Sequence, residues 1–352
     1  FYRQMFRLTF PIIIQNLLSA AVNSADVIML NYVGQSAISA VSLAASYSNI
    51  LFMVYYGLGT GASLLCAQYF GQNNLQAIHA IEGIALRFSI AISGVVALIA
   101  FTMPNRMMLI FTSDPELISI GSSYLRIMGI TYLCWGVTEV YLAILRSIGR
   151  VTISMALNML AFVLNIILNA VFIFGLFGLP KLGAAGVAIA TTISNMVSTV
   201  MVISCLHQKR DEFRFEFHKM RIEWKDLKRV LMIGIPAGIQ GAIFSVSNVF
   251  IQSGINSFGE DAIAGSSLAL NFEYFTYDIA GAFAQAAVTF TSQNFGAGNM
   301  KRCKKIFWLC LLFGFGFTEI LSVIFIVWED FFVSIYTTSA AVAAYGIIRM
   351  DR

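Results

Sequence analysis

The sequence predicts an all-α polytopic membrane protein made of two parallel-related helical lobes. A complete chain would carry six transmembrane helices per lobe, and about nine to ten fall here. Three observations predict this. Hydrophobic residues make up 58% of the 352 positions and charged residues 11%, with a mean hydropathy of +0.79, where a soluble domain carries about 25% charge. The apolar residues form runs long enough to cross a bilayer. One pattern also occurs twice at an ungapped offset of 225: Pro11, Gln15, Asn23, Asn31 and Gly34 return as Pro236, Gln240, Asn248, Asn256 and Gly259. Ser42-Leu43-Ala44 returns as Ser267-Leu268-Ala269, and Gln68, Phe70, Gly71 and Asn74 return as Gln293, Phe295, Gly296 and Asn299. Coincidence does not sustain one register over more than sixty positions. Internal duplication in a membrane chain points to transport, with the substrate handled between the copies.

A spanning helix needs about 20 mainly apolar residues. On that criterion the spans are 8–32, 42–66, 83–103, 121–145, 153–177, 184–206, 230–255, 264–290 and 305–327, with a tenth starting near 335. Residues 1–207 then form an N-terminal lobe of six spans, 208–229 a cytoplasmic amphipathic linker, and 230–352 a C-terminal lobe. Six is even, so both copies enter the membrane from the same side and the repeats are parallel rather than inverted. With the N-terminus inside, cytoplasmic segments hold sixteen Lys and Arg, from Arg3 and Arg7 to Lys304 and Lys305, and outside loops hold only Arg106 and Lys181. That bias predicts a multi-pass protein of the cytoplasmic membrane with a cytoplasmic N-terminus. By the same offset Arg352 matches Ile127, so the second copy stops 98 residues before the first does. With no initiator Met before Phe1, a truncation at both ends is expected.

The linker mixes Phe213, Phe215, Phe217 and Trp224 with both charge signs. It reads as an amphipathic helix on the membrane surface or as a solvated connector. Acidic Asp211, Glu212, Glu216, Glu223 and Asp226 among the positives exclude a nucleic-acid patch. The five cysteines are scattered within or beside apolar runs and read as small packing residues. His79, His207 and His218 lie at cytoplasmic edges, away from any in-membrane catalytic or metal cluster.

Ionisable groups inside a span are costly and therefore functional candidates. Asp26 lies deep in the first span, with Asn23 one helical turn before it. An acid there, without a basic partner in its span, can take up a proton or exchange it for a sodium ion, a hard cation suited to oxygen ligands. A hydrogen-bonded structural aspartate is the alternative. The second copy has Ile251 at the matching position, although Asn248 still matches Asn23. Glu273 stands among Asn271 and Tyr274, and an acid beside aromatic rings attracts amphipathic organic cations. It could equally pair with a polar group of a neighbouring helix. For Glu139, Asp278 and Glu319 a structural role is expected. Gln240, Asn248 and Asn165 are further candidates for a substrate cavity. Gly57-Leu58-Gly59-Thr60-Gly61 lacks the strand before and the Lys-Ser/Thr after that a phosphate loop requires, and reads as close helix packing.

These residues also carry a family resemblance. Pro11 to Gly34, with Asp26, resembles the first helix of MATE (multidrug and toxic compound extrusion) transporters of prokaryotes. Leu145-Arg146-Ser147-Ile148-Gly149-Arg150 is similar to the family's turn after its fourth helix, and Asn165 to Thr191, with Gly178 to Thr191 within it, to its connection from the fifth to the sixth. Gln68 to Gly71 and Gln293 to Gly298 resemble its paired cytoplasmic turns. The resemblance implies two six-helix lobes around a central cavity, alternating access, and export of amphipathic, often cationic compounds in exchange for protons or sodium ions. It implies no cofactor beyond the coupling ion and makes Asp26 the first-lobe coupling acid. No acid lies between Lys228 and Asn256, which departs from members with one in the seventh helix and favours a DinF-like over a NorM-like arrangement. A monomer working on small molecules in lipid is expected. A flippase for lipid-linked oligosaccharides, of the same superfamily, is the alternative, but needs more in-span positive charge than Arg87 and Arg126 near span ends supply. No in-span constellation suits an enzyme.

Overall fold

A computed structural model describes residues 2–31, 35–178, 180–206, 224–336 and 339–350. Within its helices, the side chains of 2–4, 20–21, 23–28, 30–31, 35, 38, 206, 249, 256, 260 and 335–336 lie outside the described set. Among the described residues there are twelve α-helices and no strand. In chain order these are α1 (Tyr2–Asn31), α2 (Gln35–Gly71), α3 (Leu75–Thr102), α4 (Pro104–Leu109), α5 (Pro115–Ser147) and α6 (Val151–Phe174). A 3₁₀ turn (Leu176–Gly178) leads to α7 (Gly183–Leu206), α8 (Trp224–Asn256), α9 (Glu260–Gly296), α10 (Met300–Val327), α11 (Glu329–Tyr336) and α12 (Ala340–Met350).

The duplication read from residue identities recurs in the helix boundaries. Helices α9 and α10 begin and end 225 positions after α2 and α3, and α12 begins 225 after α5. The caps repeat as well. Asn74 Oδ1 accepts from the Ala77 amide at 3.1 Å, and Asn299 Oδ1 from the Arg302 amide at 3.1 Å. A short Asn side chain satisfies one of the amides that a helix start leaves without an intrahelical partner. Just before each cap the chain turns through positive φ, at Asn73 (56°) and Gly298 (72°), a region that Asn and Gly enter most readily. Both α1 and α8 carry a proline inside the helix, Pro11 and Pro236, at the same offset.

Helices α2, α3, α5, α6, α7, α8 and α10 are long and apolar enough to cross a membrane. Helix α9 has the 37-residue length of α2 but a lower mean hydropathy, because it carries the acids Glu260, Asp261, Glu273 and Asp278 where α2 carries none. Most helices overrun the predicted spans, most visibly α3, which begins at Leu75 rather than 83, whereas α6 ends at Phe174, short of the predicted 177. The apolar core of a bilayer fixes a minimum span, whereas capped helices continue into the headgroup layer. The tenth span begins after a break: α11 ends at Tyr336 and α12 starts at Ala340. Of the predicted linker, residues 224–229 are helical in α8, and 208–223 lie outside the described residues.

The helices gather into two compact units, which cut across the two sequence copies. The larger comprises Leu18–Ile239 with Ser292–Gly298. In it α5 runs along α2, α3 and α7, and α6 packs on α7. One core joins Leu58, Ala62 and Leu65 of α2 to Ile81 of α3, Leu142 and Leu145 of α5 and Val230 of α8, and a second joins Leu51 and Tyr55 to Leu125, Met128, Tyr132 and Val187. In lipid, helices gain little from hiding apolar surface and associate through close packing and interhelical hydrogen bonds. Helices α5 and α7 show the latter as a two-rung ladder, Thr131 to Thr192 at 2.7 Å and Thr138 to Thr199 at 3.0 Å. The rungs are seven residues apart on each helix, two turns, so both face the same seam. Thr131→Val is expected to cost only about 0.6 kcal/mol, the average for a hydrogen bond between membrane helices, because Thr192 also donates to the Ala188 carbonyl at 2.7 Å. A thermal melt of the purified variant checks this, and a loss several times larger refutes it.

The smaller unit comprises Phe1–Leu17, Gln240–Thr291 and Asn299–Arg352. Its packing is largely aromatic. Phe6 meets Phe313 edge-on at 5.3 Å, and Phe317 stacks on Phe283 at 5.7 Å. Phe272 sits 5.0 Å from Phe325 and 5.7 Å from Phe332.

Candidate transport site

In the larger unit the polar groups collect on one face of α6. Asn158, Asn165 and Asn169 are all buried, and spacings of seven and four residues stack them along that face. Asn165 is bonded on both sides: its Nδ2 donates to Thr191 Oγ1 of α7 at 3.2 Å, and its Oδ1 accepts from Asn169 Nδ2 at 3.1 Å. On α7, Asn195 Nδ2 donates to the Thr191 carbonyl at 2.9 Å. The result is a buried cluster of amide and hydroxyl oxygens between two membrane helices. Asp26 and Asn23 occupy helical backbone in α1, and their side chains lie outside the described residues.

A second polar group is built around Trp135. Its ring stacks on Phe52 at 6.1 Å and meets Tyr55 edge-on at 5.8 Å, while its Nε1 donates to Glu139 one turn along α5 at 3.3 Å. The buried Tyr55 hydroxyl lies 2.6 Å from Ser93 Oγ and donates to the Tyr132 carbonyl at 3.2 Å, and the Tyr132 hydroxyl lies 3.1 Å from Ser48 Oγ. Glu139 thus accepts a hydrogen bond from an indole of its own helix.

The other predicted cavity residues lie in the smaller unit. Gln240, Asn248 and Tyr274 are exposed, and Asn271 Nδ2 donates to the Ser267 carbonyl one turn back at 3.0 Å. Glu273 is paired across helices: Arg349 of α12 donates from Nε to Oε1 at 2.7 Å and from its second terminal nitrogen to Oε2 at 3.1 Å. Tyr277, one turn beyond Glu273, stacks on Phe244 of α8 at 5.7 Å. Asp278 receives a hydrogen bond from Asn16 Nδ2 at its backbone carbonyl, at 3.3 Å.

Sequence reasoning passed over two charged residues. Glu82 is 3% exposed, and its Oε2 lies 3.7 Å from His79 Nδ1. It falls one residue before the predicted start of its span. Arg349 lies beyond the stretch where the tenth span could be followed. The signal available was spacing. Glu82 follows His79 by three, the interval that places two side chains on neighbouring faces of one helix turn. Among the described residues no three His, Cys, Asp or Glu gather as a metal site.

At one end of the larger unit, the two copies of the Gln-x-Phe-Gly motif meet. A methyl group on Gly71 would run into the Gln293 carbonyl, and one on Gly296 into the Gln68 carbonyl, a reciprocal contact between repeat-related residues. Farther along α2, a methyl on Gly57 would lie 2.6 Å from the Gly234 carbonyl of α8, and one on Gly61 would strike the Val230 carbonyl. Gln293 Nε2 also donates to the Ser147 carbonyl at 2.6 Å, closing the end of α5.

A duplicated bundle of membrane-length helices with polar groups held inside its spans defines a membrane transporter. The chain belongs to the MATE family: the MatE family model matches residues 11–171 and 236–348, segments whose starting points, Pro11 and Pro236, are again 225 apart. It is 24% identical over 341 residues to the probable multidrug resistance protein YoeA of Bacillus subtilis, covering 96% of this chain and 74% of that one. A probable multidrug resistance protein NorM of Thermotoga maritima is 25% identical over 298 residues, covering 84% and 64%. The fold resembles that of an outward-facing multidrug resistance MATE transporter of the MOP superfamily, with a TM-score of 0.90 at 20% identity over 99% of this chain and 77% of that one. It also resembles a MOP superfamily transporter from Pyrococcus furiosus, with a TM-score of 0.88 at 20% identity over the same shares of each chain. The relatives named here are multidrug resistance proteins and transporters.

Proposed function

We propose that this chain is the ion-binding and substrate-binding part of a secondary antiporter that exports amphipathic, often cationic compounds by alternating access. Inward movement of protons or sodium ions drives it. The observation that carries the reading is the buried Asn165–Asn169–Thr191 cluster. Polar groups in hydrocarbon are kept where they serve an ion or substrate path, since each costs free energy there. With Asp26 in α1 as the titrating acid and Asn23 beside it, the first copy supplies a carboxylate and several neutral oxygens. That donor set suits a proton and, equally, a sodium ion. The first-copy, DinF-like placement of coupling agrees with Ile251 at the position matching Asp26. A place in the cytoplasmic membrane with the N-terminus inside agrees with the sixteen-to-two distribution of basic residues, and the chain is taken to work as a monomer. The flippase alternative gains nothing from the site, because Arg349 is neutralised by Glu273.

Dye efflux from inverted vesicles of the full-length protein, driven separately by proton and sodium gradients, tests the reading. Asp26→Asn is expected to lower gradient-driven export by at least about a hundredfold, because a neutral amide cannot release a proton and binds a cation weakly. Export by Asp26→Asn equal to the parent under both gradients would rule out this coupling role.

A further inference from the structure

The Glu273–Arg349 pair is built rather than incidental. Gly265 and Gly346 bring α9 and α12 close: a methyl on Gly265 would lie 2.5 Å from the Val342 carbonyl and 2.8 Å from the Gly346 amide. That approach aims Arg349 at two residues of α9 seven positions apart, Glu273 through two hydrogen bonds and Ser266 through a third to its hydroxyl. A planar guanidinium meeting both carboxylate oxygens is the strongest geometry that pair adopts, and lysine does not reproduce it. Yet the pair is not sealed off. The Glu273 side chain keeps 48% of its surface open and the Arg349 side chain 23%. Tyr277, stacked on Phe244, presents an aromatic surface one turn away. In the first copy the positions matching Glu273 and Arg349 are Ser48 and Tyr124, and Ser48 meets a hydroxyl of α5 instead. At these two matched positions only the second copy carries charge.

We propose that Arg349 is the specificity-determining residue of this patch, holding Glu273 so that the patch presents no net charge to an organic cation. An organic cation reaching the Tyr277–Phe244 surface meets a carboxylate whose two oxygens are already taken. To bind Glu273 it must displace a bidentate partner tethered to the same protein. Neutral or zwitterionic amphiphiles meet no such competition. Removing the guanidinium frees a half-exposed carboxylate beside aromatic rings, the arrangement that attracts a large organic cation through charge and ring quadrupole together. The consequence for transport rests on the exporter reading above. The binding prediction does not.

Equilibrium binding of tetraphenylphosphonium to the full-length protein in lipid nanodiscs tests the proposal without requiring transport. Arg349→Met is expected to bind this cation about tenfold more tightly than the parent, and Glu273→Gln with Arg349→Met to return to the parent value. The parent's own affinity should be unchanged or weaker in Glu273→Gln, where a guanidinium stands alone. Should Arg349→Met not fold, Arg349→Lys carries the same comparison: a point charge without the fork gives a smaller gain, again lost with Glu273→Gln. A folded Arg349→Met or Arg349→Lys with no gain, or a gain that survives Glu273→Gln, overturns the proposal. A gain that depends on Glu273, in a protein that exports no cation under either gradient, leaves the proposal standing and removes the exporter reading instead.

Discussion

Gly71→Val is expected to abolish dye export, and Gly296→Val to do the same. Both act at one place, where a side chain on either glycine would drive into the backbone carbonyl of the opposing copy's glutamine. Backbone cannot swing aside as a rotamer can, so the ends of α2 and α9 must separate. Overpacking a close contact costs about 1–3 kcal/mol, and more where only backbone can yield. Because both changes open the same contact, Gly71→Val with Gly296→Val should cost clearly less than the sum of the two single changes. Gly94→Val is the control, since a side chain there meets open space. It should export as the parent does. Export rates and melting temperatures of the four variants decide the matter, and a Gly71→Val protein with full export would show that this contact does not have to hold in the transport cycle.

Asn165→Leu is expected to have the second largest effect. The amide of Asn165 supplies a donor to Thr191 and an acceptor to Asn169 at the same time, so a leucine of similar size removes both bonds at once. Each polar group left without its partner in a buried site costs about 1–3 kcal/mol. Asn195→Leu makes a useful comparison, because the bond recorded for that side chain runs to its own helix, at the Thr191 carbonyl. Asn165→Leu should therefore lose several kcal/mol in a denaturation series and nearly all ion-driven export, with Asn195→Leu losing much less of both. Equal losses in the two variants would remove Asn165 from the centre of the cluster.

The architecture was legible in the sequence because a bilayer imposes few options: apolar runs of about twenty residues are helices, and a repeat at one offset fixes how they correspond. Each of the nine complete spans falls for most of its length on one helix, and the offset of 225 reappears in the helix boundaries. Where the reading fell short, the cause was the same criterion. Counting apolar residues finds the hydrocarbon layer and stops at its edges, and charged groups tend to sit at those edges. Glu82 was lost there. Glu273 was identified as an acid of interest, yet its partner was not, since Arg349 lies 76 positions away and no periodicity links two helices so far apart. Asn165 was identified from its place in the fifth span. That Asn169 and Thr191 complete its cluster depends on how α6 and α7 face each other, which a single sequence does not encode locally. The threonine ladder was passed over because hydroxyls in a span look like ordinary packing residues until two helices align them.

The reciprocal meeting of Gly71 with Gln293 and of Gly296 with Gln68 also bears on chain length. Each residue added to a helix turns everything after it by about 100° and advances it by 1.5 Å. One insertion in α2 between Gly61, which touches α8, and Gly71 would leave the first contact intact and swing the second around the helix, away from its partner. The same holds for a deletion, and for α9 on its own side. Two copies that clasp each other near both ends of one segment can exchange side chains freely along it, but neither can change its count of residues alone. The ungapped register between the halves is then a mechanical tolerance, enforced by the contact each copy makes with the other.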